Sequence, residues 1–229
     1  MKKKLQLLSI SLVLASAASS LHAEGQPLAL NQQIVGNINT GMQKASSCAS
    51  CHGDNGNSMV ATFPKLAQQH SSYLARQLRE FKSGQRSDPM MSAMALSLTD
   101  EDIADISAFY EAQKISENAL PVLAEDEDTK PASADIQSII VRGSDLYRNG
   151  NLTSGVSACI ACHGPFGEGN KPAAFPALKS QHADYLIKTL TDFKTGARSN
   201  NPENMMHMIA KKMTDEEIKA VAYRISMMK

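Results

Sequence analysis

All four cysteines of the chain lie in two copies of one short motif, Cys-x-x-Cys-His-Gly. The first copy is CASCHG at residues 48–53, and the second is CIACHG at residues 159–164. Two thiols at this spacing serve in disulfide exchange, in half of a zinc site or in a structural disulfide. A histidine directly after the second cysteine adds a nitrogen ligand for a metal. The paired motifs therefore predict metal or redox chemistry at two equivalent places.

The N-terminus has the features of a cleavable export signal. Three lysines follow Met1, residues 5–18 are mostly apolar, and small residues cluster around positions 15–23. The apolar stretch is too short and too interrupted by serine to span a membrane, which takes about 20 apolar residues. We expect residues 1–23 to be removed on export, with cleavage after Ala23. A retained anchor is the alternative.

In an exported chain, Cys-x-x-Cys-His is typical of covalent haem attachment. The two thiols can form thioethers with the vinyl groups of one porphyrin, and the adjacent histidine then binds the iron as proximal ligand. A thioredoxin-like site needs a strand before the motif and a helix after it, and a zinc site would need all four cysteines while leaving both histidines unused. We therefore predict two covalent haem c groups. Their predicted attachment and proximal residues are Cys48, Cys51, His52, Cys159, Cys162 and His163.

The second half of the chain repeats the first. The haem motifs repeat at an offset of 111 residues. Phe-Pro-x-Leu at residues 63–66 and a segment from Tyr-Leu to Phe-Lys-x-Gly-x-Arg-Ser at residues 73–87 both repeat at 112. Thr99 matches Thr214 at 115. An internal repeat of this kind indicates two copies of one structural unit.

The repeat predicts the domain organisation. We expect the first copy at residues 24–116 and the second copy at residues 136–229. The segment 117–135 between them carries two prolines and the acidic run 125–128 without apolar periodicity, so it is predicted to be a solvated linker. A docking segment for a basic partner is the alternative.

Both copies show helical periodicity. Apolar residues recur at i, i+3 or i+4 and i+7, and Thr99 with Asp102 and Thr214 with Glu217 have capping-box spacing, which predicts a helix start at each threonine. The periodic positions after the haem motifs are Leu74, Leu78, Phe81, Ile103, Ile106, Tyr110, Leu186, Leu190, Phe193, Ile218, Val221 and Ile225. Those before the motifs are Ile34, Ile38, Met42, Ile136, Ile139, Ile140, Gly143 and Tyr147. No segment alternates as a strand does, so the predicted fold class is all-α.

An electron-transfer haem needs a sixth iron ligand, for which methionine and histidine are the candidates. The chain has 12 methionines, clustered as MMSAM at residues 90–94 and MMHM at residues 205–208. Counted back from the two capping threonines, two pairs repeat, Met90 with Met205 and Met91 with Met206. Because methionine is often adaptable core filler, we expect at most one ligand in each cluster.

Two histidines outside the motifs also repeat. His70 and His182 each precede a predicted helix, 18 and 19 residues after the proximal histidines. Bis-histidine ligation is one hypothesis, and a solvent-exposed polar residue at the helix start is the favoured one. His207 has no counterpart in the first copy and is expected at the surface.

The composition bears on whether the protein binds nucleic acid. The formal net charge is zero, aromatic residues make up 5% of the chain, and tryptophan is absent. A chain without a basic stripe or a stacking surface is not expected to bind nucleic acid.

Taken together, these residues resemble the di-haem class I cytochromes c of the cytochrome c4 type. The likeness covers nearly all of the mature chain and includes the haem motifs, Asp-Asn-Gly-Asn-Ser at residues 54–58, Phe-Pro-x-Leu, and a late methionine followed by a threonine-capped helix. It implies two tandem cytochrome c domains related by pseudo-twofold symmetry, each wrapped around one haem. The second motif continues as Pro165-Phe166-Gly167 in place of Asp-Asn-Gly, which is a departure from the pattern.

The resemblance also implies residue roles. In that family the distal methionine lies eight residues before the capping residue, which selects Met91 and Met206. The carbonyls of Pro64 and Pro176 would accept a hydrogen bond from the proximal histidine and tune the iron. Arg86 and Arg198 are candidates to neutralise haem propionates, although exposed arginines are the commoner case.

The implied function is single-electron transfer in the bacterial periplasm without substrate chemistry. The implied partners are membrane respiratory complexes, with a bc1-type complex or a dehydrogenase as donor and a terminal oxidase as acceptor, met by a monomer that is free or peripherally associated with the membrane. A di-haem enzyme, such as a peroxidase or a sulfur-compound dehydrogenase, is one alternative. A cytochrome subunit of a larger oxidoreductase is another.

Overall fold

The structure, a computed structural model, describes residues 36–121 and 133–229. These residues belong to one compact unit, Gln33–Lys229. The predicted signal peptide, Ile34 and the acidic run 125–128 lie outside the described residues.

Each copy folds into helices in the same order. The first contains α1 (Ile38–Lys44), α2 (Ala49–His52), α3 (Ser71–Ser83), α4 (Pro89–Leu96) and α5 (Asp100–Glu111), with a 3-10 turn at Ala45–Ser47. The second contains α6 (Ser133–Asn149), α7 (Ile160–His163), α8 (Ala183–Thr195), α9 (Met205–Ala210) and α10 (Asp215–Ser226), with a 3-10 turn at Pro202–Asn204. The only strand-like pairings in the described ranges are two isolated bridges, Asn151 with Val156 and Asn170 with Phe175. The all-α prediction is confirmed.

The last helix of each copy begins at a capping box, as predicted. Thr99 N donates to Asp102 Oδ2 at 2.9 Å, and Asp102 N donates to Thr99 Oγ1 at 3.1 Å. Thr214 and Glu217 make the same two bonds at 2.8 and 3.1 Å. These reciprocal bonds satisfy N–H groups that a helix start leaves unpaired, and they place α5 and α10 at matching positions.

In each copy, the first helix and the last helix cross at a very short distance. A Cβ atom added to Gly41 of α1 would lie 2.0 Å from the Asp105 carbonyl oxygen of α5. A Cβ on Gly143 of α6 would lie 1.9 Å from the Ala220 carbonyl oxygen of α10. Only glycine allows backbones to approach this closely, so each crossing brings the helix before the haem motif onto the last helix.

The apolar faces predicted for the last helices form the cores. Ile103, Ile106 and Tyr110 are buried on α5, and their counterparts on α10 are equally buried. Around each core lies a rim of partly buried apolar side chains, which includes Leu66 and Leu78 in the first copy and Leu178 and Leu190 in the second. Burial of these side chains supplies the main driving force for folding.

Helix α1 confirms the predicted helix but not a buried apolar face. Ile38 is 49% exposed and Met42 is 58% exposed. The side of α1 that meets α5 carries Gly41 and is followed by buried Ala45. Because the crossing is so close, small residues rather than large apolar ones face the core.

The segment predicted as a linker is partly described. Asn118 Nδ2 donates to the carbonyl oxygens of Ser180 and Ser226 at 2.9 and 3.0 Å, so the start of this segment is attached to the second copy. Helix α6 begins at Ser133, three residues before the expected start of the second copy. The boundaries at 116/117 and 135/136 remain predictions.

The two copies pack together through reciprocal hydrogen bonds. Arg198 Nη2 donates to Tyr73 OH at 3.1 Å, and the equivalent Arg86 Nη2 donates to Tyr185 OH at 3.3 Å. The arginine of each copy therefore donates to the equivalent tyrosine of the other copy, as a pseudo-twofold relation between the copies requires. The expected symmetry is confirmed.

Candidate haem-binding sites

Each haem motif forms a single helical turn. His52 N donates to Cys48 O at 3.0 Å, and His163 N donates to Cys159 O at 2.9 Å. The turn ends at a glycine with positive φ, 79° at Gly53 and 75° at Gly164, where the chain reverses direction. The motif therefore presents two cysteines and one histidine from one short, rigid turn.

The motif histidines are held by the proline carbonyls. His52 Nδ1 lies 2.9 Å from Pro64 O, and His163 Nδ1 lies 3.0 Å from Pro176 O. A carbonyl can only accept, so Nδ1 carries the proton and Nε2 is the nitrogen that can bind a metal. Both rings are buried, and this desolvation lowers the pKa of each imidazole, which favours the neutral, metal-binding form.

The phenylalanine of each Phe-Pro-x-Leu segment packs beside the histidine. The ring centroids of Phe63 and His52 are 6.4 Å apart, and those of Phe175 and His163 are also 6.4 Å apart. Each segment therefore contacts the imidazole in two ways, through a hydrogen bond to the proline carbonyl and through the phenylalanine ring. Spacing alone did not predict the second contact.

The four motif cysteines form no disulfide with one another, and each is partly buried. Burial raises the pKa of the Cys48 thiol and raises that of Cys159 to about 11. Burying a thiolate is costly, whereas a thioether carries no charge. These positions fit sulfur atoms in neutral covalent links to a porphyrin.

The methionine clusters differ in exposure. Met90 and Met205 are 53% and 37% exposed, whereas Met91 and Met206 are half-buried. Met91 N donates to Asp88 Oδ1 at 2.9 Å. Met206 N donates to Asn201 Oδ1 at 2.7 Å, so the backbone N–H of each inner methionine is bound by a preceding polar side chain. Of the two repeated pairs, Met91 with Met206 is the more enclosed.

A large apolar group fits each site. The rim side chains, which include the first cysteine of each motif, remain only partly covered, although they pack against the buried core. Together with a protonated Nδ1, an available Nε2 and two thiols, they supply the attachment, ligation and apolar surroundings that a haem c requires. The described part of the chain contains no group of three or more His, Cys, Asp or Glu residues able to hold a metal ion by themselves.

The structure places His70 and His182 between the two copies. His70 Nε2 donates to Glu168 O at 2.8 Å, and His182 Nε2 donates to Ser58 O at 3.0 Å. Both rings are half-buried, so the expectation of solvent-exposed helix-start residues is wrong. The local pattern could not show this, since each acceptor belongs to the other copy.

The expected surface positions of the remaining polar residues also need correction. His207 is half-buried rather than at the surface, and its Nδ1 donates to Phe193 O at 2.7 Å. Arg198 is buried, stacks 4.5 Å over the Phe193 ring and donates to Gln77 Oε1 at 2.9 Å. Arg86 stacks 4.4 Å over Phe81 and also donates to Gln77 Oε1. Both arginines therefore belong to the interface between the copies.

Sequence reasoning missed two glutamines in this interface. Gln69 contacts the backbone of Ala177, and Gln181 contacts the backbone of Lys65. Both glutamines are buried, and they repeat at an offset of 112. That repeat is the signal that could have identified them.

Among the residues the structure describes, none of the helices has the length and apolar character needed to cross a membrane.

Comparison with known proteins identifies the family. Residues 40–113 and 140–227 each match the family model Cytochrome c. Cytochrome c4 of Azotobacter vinelandii is 39% identical over 198 residues, covering 82% of this chain and 87% of the relative. The thiosulfate dehydrogenase electron acceptor of Stutzerimonas stutzeri (strain A1501) is 36% identical over 179 residues, covering 78% of this chain and 77% of the relative.

A solved structure supports the same family. The crystal structure of reduced recombinant cytochrome c4 from Pseudomonas stutzeri is similar, with a TM-score of 0.76 and 34% identity, over 85% of this chain and 100% of that one. Each half of the present fold carries its own attachment motif, and each half matches the family separately. The chain therefore belongs to the cytochrome c family as a di-haem protein of the cytochrome c4 type, with two covalently attached haem c groups.

Proposed function

We propose that this protein carries single electrons between redox partners, with His52 and Met91 as axial ligands of the first iron and His163 and Met206 as those of the second. The observation that carries this proposal is the pair of buried histidines whose Nδ1 atoms are fixed by Pro64 and Pro176, at 2.9 and 3.0 Å. The same geometry at both sites indicates the same task at both sites.

The methionine assignment is supported by enclosure. Met91 and Met206 are half-buried, whereas their neighbours in the repeat are more exposed. A thioether ligand raises the reduction potential relative to a second histidine. His70 and His182 donate to carbonyls of the opposite copy instead, which favours methionine as the sixth ligand.

The protein residues prepare the sites for electron transfer without substrate chemistry. A bound haem c supplies an iron that gains and loses one electron. The chain fixes the imidazole orientation through Pro64 and Pro176, and the two cysteines of the same turn would hold a porphyrin through thioethers. Apolar residues such as Leu66 and Leu178, which pack against the cores, would line a bound haem and limit its contact with water. Little therefore needs to rearrange when the charge changes.

We assign residues 24–116 and 136–229 as the two cytochrome domains, joined by residues 117–135. The family matches at 40–113 and 140–227 fall inside these bounds and support them. Helix α6, which begins at Ser133, favours a slightly earlier start for the second domain.

The proposed location is the periplasm, reached through a cleavable signal at residues 1–23. Three lysines followed by an apolar stretch and small residues support export.

The proposed partners are membrane respiratory complexes. A bc1-type complex or a dehydrogenase would supply electrons, and a terminal oxidase would accept them, with the cytochrome as a monomer that is free or peripherally associated with the membrane. Redox encounters of this kind bury little surface and are brief.

A second candidate role is that of electron acceptor for a particular dehydrogenase. The relative from Stutzerimonas stutzeri, which carries that description for thiosulfate dehydrogenase, favours it. Here too the cytochrome would carry electrons rather than transform a substrate. A di-haem peroxidase or sulfur-compound dehydrogenase would instead need an iron with an exchangeable sixth position.

Ligand binding and electron exchange distinguish these roles. The purified di-haem protein should exchange electrons rapidly with small redox mediators, resist cyanide and carbon monoxide at both irons, and leave peroxide and thiosulfate unchanged. Rapid binding of either ligand at one iron, together with turnover of peroxide or thiosulfate, would contradict the carrier proposal. Reduction by thiosulfate only after addition of a thiosulfate dehydrogenase would select the second role.

A further inference from the structure

Two buried glutamines make reciprocal contacts across the interface between the copies. Gln181 Oε1 accepts from Lys65 N at 2.8 Å, and Gln181 Nε2 donates to Lys65 O at 2.9 Å. Gln69 Oε1 accepts from Ala177 N at 2.9 Å, and Gln69 Nε2 donates to Ala177 O at 2.8 Å. Each carboxamide thus binds both backbone groups of one residue in the other copy.

The residue that each glutamine binds directly follows the proline beside a proximal histidine. Lys65 N belongs to the same peptide unit as Pro64 O, which accepts from His52 Nδ1 at 2.9 Å. Ala177 N belongs to the same unit as Pro176 O, which accepts from His163 Nδ1 at 3.0 Å. A single peptide group therefore lies between each glutamine and the histidine of the opposite copy.

The glutamines are fixed in place. Gln69 Oε1 also accepts from His70 N at 3.0 Å, and Gln181 Oε1 accepts from His182 N at 3.0 Å. Their exposed fractions are only 7% and 6%, so water competes little for these bonds. In such surroundings, a hydrogen bond to one end of a peptide group strengthens the bond made by the other end.

We propose that Gln69 and Gln181 are positioning residues that tune the haem of the opposite domain. Gln181 acts on the His52 site, and Gln69 acts on the His163 site. The inference rests on the proposed function, because it takes His52 and His163 as iron ligands.

The direction of the effect follows from the geometry. Acceptance from Lys65 N makes Pro64 O a stronger acceptor and strengthens its bond from His52 Nδ1. A stronger bond at Nδ1 makes the imidazole a more basic iron ligand. This stabilises the oxidised iron and lowers its reduction potential. Loss of Gln181 should therefore raise the potential of the first haem.

The experiment uses the full di-haem protein with Gln181→Met or Gln69→Met, which keep volume but remove the carboxamide. Redox titration followed by NMR gives the potential of each haem separately, and the imidazole Nδ1–H signal of each proximal histidine reports its hydrogen bond. We expect Q181M to raise the potential of the His52 haem and move the His52 signal, and Q69M to do the same at His163. The haem in the mutated domain should be unchanged.

Ser72→Ala is the matched control. Ser72 Oγ donates to Lys171 O at 2.7 Å, so this variant also removes a hydrogen bond between the copies but touches neither proline peptide. It should leave both potentials and both Nδ1–H signals unchanged. If a methionine variant does not fold, Gln181→Glu keeps an acceptor for Lys65 N, and it should lower the potential of the His52 haem.

The outcomes separate this inference from the proposed function. Suppose that the wild-type protein has two haems with histidine and methionine ligands. If a glutamine variant then shifts the reduction potential of the haem in its own domain, of both haems equally or of neither haem, only the inference is overturned. If the wild-type protein lacks histidine ligation at these sites, the proposed function and the inference both fail.

Discussion

His52 donates from Nδ1 to the carbonyl oxygen of Pro64 over 2.9 Å, and the ring is buried beside Phe63. This bond fixes the tautomer and leaves Nε2 available for the proposed iron ligation. The same relationship recurs at His163 and Pro176. The first prediction concerns the ligand on the opposite face of each haem.

Replacing Met91 or Met206 by alanine should open one iron and lower its reduction potential, since a thioether ligand raises the potential. The near-infrared sulfur-to-iron band of the oxidised protein should lose about half its intensity in each variant, because one of two haems is affected. Carbon monoxide should then bind that haem when it is reduced. Met90→Ala and Met205→Ala are the controls and should change neither property. Loss of the band in the controls instead would assign the ligands to the outer pair.

Lys65 should raise the potential of the first haem only. This residue is 3% exposed, its Nζ donates to Ser116 O and Asn118 Oδ1 at 2.7 Å each, and burial lowers its pKa. The equivalent position in the second copy is Ala177. A buried cation disfavours the oxidised, more positive iron.

Lys65→Met should therefore lower the potential of the first haem and leave the second nearly unchanged in a redox titration. Lys114→Met removes an exposed positive charge from the same copy and serves as the control. An equal shift of both haems, or a rise at the first, would show that Lys65 does not act as a local charge.

Gly41→Ala should destabilise the fold by about 1–3 kcal/mol, because a Cβ would lie 2.0 Å from the Asp105 carbonyl oxygen and force α1 away from α5. Chemical denaturation measures this change in the free energy of unfolding. Met42→Ala, on the exposed side of the same helix, should change it by less than about 0.5 kcal/mol. Equal effects of the two substitutions would refute the close-crossing explanation.

Stability should fall on mild acidification because of His182. Burial lowers its pKa from the usual 6.5. The unfolded chain therefore binds the proton more readily, so the stabilisation is present above about pH 6.5 and is lost as the pH falls from that value through the lower pKa of the folded state. Thermal unfolding of the wild-type protein should show the decline between about pH 7 and 5.

His182→Gln keeps a donor for Ser58 O but cannot titrate. Its melting temperature should depend less on pH over the same interval. A pH dependence identical to that of the wild-type protein would assign the decline to other groups, such as His70, whose pKa burial also lowers.

Local features of this fold could be predicted from the sequence. The capping boxes at Thr99 and Thr214 are complete within four residues, and the haem motif confines both thiols and the histidine to one turn. Such short-range geometry depends on residue types and spacing alone.

Features that depend on the packing of the two copies could not be predicted in this way. His70 and Arg198 were expected at the surface because their partners, Glu168 O and Tyr73 OH, lie far away in sequence. The exposure of the apolar side of α1 could not be predicted for a related reason. Periodic apolar residues predict a helix, but they do not specify which side of the helix packs against its neighbour. Gln69 and Gln181 acquire their role only when the interface forms.

The assignment of two methionine-ligated haems is tested by optical spectroscopy of the haem-loaded protein, with a haemochrome count and the near-infrared spectrum of the oxidised form. We expect two c-type haems per chain and a sulfur-to-iron band with the intensity of two methionine-ligated haems. One haem per chain would contradict the two-site assignment. Two haems without the band, or with a high-spin spectrum, would contradict the axial pairs His52 with Met91 and His163 with Met206.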